Sequence, residues 1–132
     1  MAVIAFVCPP FAAHLASFRA LGEELVRRGH HCFFLLNAGT EGRTGAIPIL
    51  TVPARASDPD AARVLVNAES PAGLRGTLRT IADSAAMTDQ LCAGGRAMLE
   101  AEGAALVVGD QMEPAGYQIG RASCRERVCS TV

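Results

Sequence analysis

Apolar residues run unbroken from Val3 to Val7 and stop at Pro9-Pro10. A short apolar block rich in β-branched residues reads as a strand covered on both faces, as in a parallel sheet. The pattern then changes period: from His14 onward, Leu15, Phe18, Leu21, Leu25 and Val26 recur at three- and four-residue spacing, while Arg19, Glu23, Glu24, Arg27 and Arg28 fall elsewhere on the wheel. This predicts a helix with one buried stripe. Basic Arg27 and Arg28 suit its negative end, and Gly29 supplies a left-handed stop. His31–Leu36 predicts a second buried strand, the polar stretch Asn37–Gly45 its loop, and Ile47–Val52 a third strand, with Pro48 tolerable near its start or on an edge.

Prolines at 53, 59 and 71 make the next stretch irregular, with one short helix expected over Asp60–Asn67. A long helix is expected from about Ala72 to Ala101, with Leu74, Leu78, Ile81, Ala85, Leu91 and Leu99 buried and Gly94-Gly95 bending or dividing it. Leu106–Val108 reads as a fourth strand that delivers Asp110 at its carboxyl end, and Pro114 suits the first turn of a following helix. Strands alternating with helices imply right-handed crossovers and an α/β fold, a Rossmann-like parallel sheet flanked by helices.

At 132 residues and 50% hydrophobic content the chain is long enough for one core. The net charge of −1, with arginine as the sole basic residue type apart from histidine, offers no cationic field for nucleic acid. The apolar start lacks a basic leader and a small-residue cleavage site and is too short to span a bilayer, so it is expected to be a strand of a cytoplasmic protein. The five cysteines, at 8, 32, 92, 124 and 129, show no CxxC spacing. They predict neither a zinc site nor a disulfide framework, and Cys8, Cys32 and Cys92 are expected to be reduced packing residues.

Candidate chemistry sits where the first strand hands over to the first helix, the rim at which parallel α/β folds bind ligands. A dinucleotide fingerprint would place glycines there; the loop Cys8-Pro9-Pro10-Phe11-Ala12-Ala13 has none, and two prolines remove two amide donors. A phosphate is therefore not expected at this turn, and its ligand should be apolar or neutral. His14 as neutral imidazole is a usable base, and Asp110 opens onto the same rim. Such a pair could remove a proton from an attacking alcohol, with the carboxylate fixing the tautomer; the alternative is that His14 is simply a hydrogen-bonding residue at a helix start. His30-His31 reads as a helix-end cap followed by a strand residue, Arg27-Arg28 as a solvated helix end, Asp58 and Asp60 as turn and cap residues, and Met87, Met98 and Met112 as core.

These residues carry a resemblance. Pro9-Pro10-Phe11-x-x-His14, the run Leu21-Gly22-Glu23-Glu24-Leu25-Val26-Arg27-Arg28-Gly29-His30 and Val107-Val108-Gly109-Asp110 resemble the amino-terminal half of family 1 UDP-glycosyltransferases. Met87-Thr88-Asp89-Gln90-Leu91-Cys92 and the more specific Asp110-Gln111-Met112-Glu113-Pro114-Ala115-Gly116 are similar to the carotenoid (zeaxanthin) glucosyltransferases among them. The resemblance runs from about Val3 to Tyr117. It implies the acceptor half of a GT-B fold, with His14 as catalytic base, Asp110 as its support, and acceptor contacts from Pro10, Phe11, Met112 and Glu113. It also implies inverting, metal-independent transfer from UDP-glucose to a hydroxyl of an apolar acceptor such as zeaxanthin. An acceptor dissolved in lipid would bring the enzyme to the inner face of the membrane.

Nothing here matches the donor-binding signature of that family, which belongs to its second half. The UDP-sugar is thus expected to be held by a domain outside this chain, and the chain alone is expected to bind no cofactor, to be inactive and to expose apolar surface. Residues 1–118 are expected to be a partial acceptor domain. From Ile119 to Val128 the sequence resembles the conceptual translation of a sequencing-library adapter, so 119–132 are expected to be a non-native tail, with Cys129–Val132 unexplained. Two other readings stay open: a stand-alone α/β binding or interaction domain in which His14 and Asp110 are structural, and a nucleotide-dependent enzyme of another Rossmann family, which the glycine-free loop disfavours.

Overall fold

The computed structural model describes residues 1–41 and 44–123. Four strands, β1 (Val3–Val7), β2 (His31–Asn37), β3 (Ile49–Val52) and β4 (Leu106–Gly109), alternate with α1 (Ala12–Arg27), α2 (Ala61–Glu69), α3 (Gly73–Ala101) and α4 (Pro114–Ser123). The strands form one parallel sheet in the order β3-β2-β1-β4. The α/β expectation holds, and the period-2 geometry explains the unbroken apolar runs. Ala5, Val7, Phe33 and Leu35 point to one face and pack with Leu91, Leu99, Ala115 and Ile119 of α3 and α4. Ile4, Phe6, Cys32, Phe34 and Leu36 point to the other and pack with Leu15 of α1 and with Ile47.

The helices depart from expectation where periodicity says nothing about cover. α1 begins at Ala12, two residues before His14, and ends as expected, with Gly29 at a φ of 87°. Leu15 is buried, but Leu21 and Val26 are exposed, and the buried position between them is Gly22. A Cβ there would collide with the Ile47 side chain and the Phe6 ring, so glycine lets α1 lie close on the sheet.

α3 is one continuous helix of 29 residues, and the glycine pair does not divide it. Gly94 faces Val52, while Gly95 faces Leu35 and Ile119, so both admit close helix–sheet packing. The first half of α3 is also not buried as expected: Leu74, Leu78 and Ile81 are 76%, 58% and 60% exposed, and Ala85 is exposed too, whereas Leu91 and Leu99 are buried. None of the helices among the described residues is long and apolar enough to cross a membrane.

Smaller differences have local causes. Asn37 closes β2 instead of opening the loop, because its side chain finds buried partners on α3. β3 starts at Ile49, with the Pro48 carbonyl accepting from Phe34 N at 2.8 Å just before it. α2 is capped by Asp60, which accepts from Ala62 N at 3.1 Å. Asp58 accepts from Arg55 N in a turn, and the Arg55 guanidinium bridges it to Asp89 of α3. That guanidinium holds the Asp58 carboxyl below its usual range. Arg27 and Arg28 lie exposed and donate to Glu24. Cys8, Cys32 and Cys92 are free thiols.

Of the expected tail, residues 119–123 continue α4, with Ile119 in the core, and residues 124–132, with Cys124 and Cys129, lie outside the described residues.

Candidate active site

The chain builds β1, β2 and β3 outward on one side and then returns to place β4 on the other side of β1. The order reverses between β1 and β4, and at such a reversal the loops leaving the two strands diverge and open a crevice at their carboxyl ends. Val7 pairs with Gly109, so the loop to α1 and the loop to α4 leave the sheet side by side. Residues far apart in sequence, His14 and Asp110, thereby face each other.

His14 Nδ1 lies 2.6 Å from Asp110 Oδ2. A carboxylate can only accept, so Nδ1–H donates, and in the neutral imidazole Nε2 carries the lone pair. Asp110 is held from two further directions: its backbone N donates to Val7 O at 2.9 Å, and its Oδ1 accepts from Met112 N at 2.8 Å. The side chains are 33% and 14% exposed, so the imidazole reaches solvent while the carboxylate behind it is largely covered. This is the order a general base and its support require.

The imidazole opens on a cleft of about 370 Å³. Its walls bring together the expected acceptor residues Pro10, Phe11, Met112 and Glu113. Met112 is exposed at the surface, where it was expected in the core, while Met87 is buried as expected and still lines the cleft.

The opposite wall was not anticipated from the residues: Val64 and Leu65 of α2 with Ser84, Ala85 and Thr88 of α3. Only Met87-Thr88, part of the string that carried the resemblance, gave any signal. Two polar ties fix this wall. Thr88 Oγ1 donates to Glu113 Oε1 at 2.9 Å, joining α3 to the start of α4. Asn37 Nδ2 donates to Met87 O at 2.9 Å and to Gln90 Oε1, and Gln90 Nε2 donates to Pro53 O at 3.2 Å, joining α3 to the ends of β2 and β3.

Burial, and then the charges of Asp110 and Glu113, push the Cys8 thiol up to about 12, so it stays protonated beneath the site and is no nucleophile. Burial also raises the Glu113 carboxyl, partly opposed by the bonds from Ala115 N and Thr88, with Asp110 adding to the rise. An acid raised on folding binds more protons in the native state, so its contribution to stability falls as pH climbs from its unfolded value through its folded one. Glu113→Gln keeps an oxygen for Thr88 and Ala115 N. It is therefore expected to flatten that decline as pH climbs above the usual carboxylate range and to be at least as stable as the parent at neutral pH. Denaturant unfolding over that rise in pH checks it, and a variant with the parent's slope would contradict it.

His30 Nδ1 accepts from Ala2 N at 3.2 Å and His31 opens β2, both structural positions. Among the described residues no cluster of three His, Cys, Asp or Glu side chains could hold a metal ion.

No protein-family model matches the chain. It is 32% identical over 125 residues to a zeaxanthin glucosyltransferase of Pseudescherichia vulneris and 34% identical over 128 residues to a zeaxanthin glucosyltransferase of Pantoea ananas. Each alignment covers 92% of this chain and 29% of the relative, so the chain spans under a third of the length of the curated relatives it matches. The resemblance read from the residues thus extends over nearly the whole chain.

Proposed function

We propose that the chain is the acceptor-binding part of a hexosyltransferase that moves glucose from UDP-glucose to a hydroxyl of an apolar acceptor, a carotenoid such as zeaxanthin. The observation that carries this reading is the 2.6 Å His14–Asp110 contact at the mouth of a largely apolar cleft. The names of the two relatives support the acceptor and the sugar. The donor is assigned to a domain beyond this chain.

In this mechanism the acceptor hydroxyl lies against His14 Nε2. As its oxygen attacks the anomeric carbon, its proton passes to Nε2, and Asp110 stabilises the imidazolium that forms. The new carbon–oxygen bond forms while the bond to the UDP oxygen breaks, on the opposite face, so the configuration inverts. Apolar walls exclude water, which would otherwise compete as acceptor.

The full-length protein, given UDP-glucose and a dihydroxy carotenoid, is expected to release UDP and form the β-glucoside, read by mass spectrometry and by the anomeric proton coupling. Absence of acceptor-dependent UDP release, or an α-linked product, would overturn the reading.

A further inference from the structure

The cleft does not end at its own far wall. A second hollow, of about 350 Å³, runs between the first turns of α1 and the facing side of α2, and it shares Pro10, Phe11 and Leu65 with the cleft. The two hollows therefore meet at a waist formed by Phe11 and Leu65. Beyond the waist the floor is Leu15, which is buried, and the walls are Ala12 and Ala16. The far end is lined by Arg19 of α1 and Glu69 of α2, a hydrogen-bond donor and an acceptor at the close of an otherwise apolar path.

We propose that this groove is a second acceptor subsite, which holds the remote part of an elongated, rigid apolar acceptor whose near hydroxyl meets His14. The inference rests on the transferase reading above and adds to it the shape of the substrate. From His14 to Arg19 the helix advances ~7.5 Å, so an occupant that follows the groove continues at least that far past the catalytic end. A compact one-ring alcohol fills the first cleft and never reaches the groove. A longer rod passes the waist, lies along Ala12, Leu15 and Ala16 and leaves the groove past Arg19 and Glu69. Apolar burial along the groove then contributes binding that only the long acceptor gains.

The test compares two acceptors in the full-length protein, zeaxanthin and the single-ring alcohol 3-hydroxy-β-ionone, each with UDP-glucose. Ala16→Trp, which fills the groove from an exposed helix position, is expected to lower the ratio of kcat/KM for the long acceptor over the short one by roughly 10–200-fold. Because the readout is a ratio within one variant, a partly misfolded preparation does not move it. Glu69→Trp, which narrows the far end from an exposed position on α2, is expected to lower the same ratio. Unchanged ratios in both variants would overturn the groove assignment. A parent protein inactive on both acceptors would instead overturn the transferase reading, and the subsite with it.

Discussion

On the proposed transferase reading, replacing His14 with alanine in the full-length protein is expected to lower kcat/KM for glucosyl transfer by roughly 10²–10⁴-fold, the usual contribution of a positioned general base. The size follows from what is lost and what stays. Nε2 is the atom available to take the hydroxyl proton, because Nδ1 is committed to Asp110 at 2.6 Å. The imidazole is a third exposed and belongs to neither face of the sheet core, so its removal leaves the packing intact. Asp110 keeps its bonds to Met112 N and Val7 O.

The thermal midpoint of the variant is therefore expected to stay near that of the parent while turnover falls. Asp110→Asn makes a sharper companion. The amide nitrogen can donate where the carboxylate accepted, which favours the tautomer with its proton on Nε2 and removes the base without removing the ring. If His14 were structural, as in a non-catalytic binding domain, His14→Ala would shift the midpoint and leave transfer unchanged. That outcome would end the mechanism.

A large stability effect is expected at a glycine that the sequence marks as a helix breaker. Gly94→Leu destabilises the chain by roughly 1–3 kcal/mol through overpacking. Two terms compete. Leaving glycine behind in a helix interior gains under ~1 kcal/mol of propensity. Against this, a Cβ at position 94 would lie 2.5 Å from Val52 Cγ1. Val52 is buried at the end of β3 and β-branched, so its methyl group cannot swing away at low cost. Packing wins, and the sign of the change is negative. At Gly95 the facing atoms are the side-chain ends of Leu35 and Ile119, at 3.0 and 3.1 Å, so Gly95→Ala costs less. Denaturant midpoints of the two variants decide the matter: a stabilised Gly94→Leu chain would mean that α3 does not lie this close to the sheet.

The glycine pair shows where reading along the chain stops. Gly94-Gly95 looks like a break because local propensity is all a sequence window contains, whereas the reason for the pair is a strand some 40 positions earlier. Leu74, Leu78 and Ile81 fail in the same way. Their spacing defines a helix face, but spacing cannot say whether anything covers it, and here nothing among the described residues does. Asn37 was misplaced because its polarity marks a loop until Met87 O and Gln90 are found beside it. The meeting of His14 and Asp110, by contrast, is legible: Asp110 directly follows β4, His14 lies one loop past β1, and a parallel sheet brings its carboxyl ends to one rim.

By itself the sequence determined the alternation of buried strands and helices, the left-handed stop at Gly29, the glycine-free first turn and the candidate pair His14 and Asp110. These follow from local chemistry: side-chain period, backbone freedom and the donors a loop can offer. Only the tertiary structure decided that β4 returns beside β1, so that a crevice opens between their loops and a carboxylate 96 positions away bonds the imidazole. It also decided that α2 and α3 wall that crevice and that α1 and α2 leave a groove beyond it. Strand order and helix cover arise from contacts between segments distant in sequence, and no period along the chain records which segments those are.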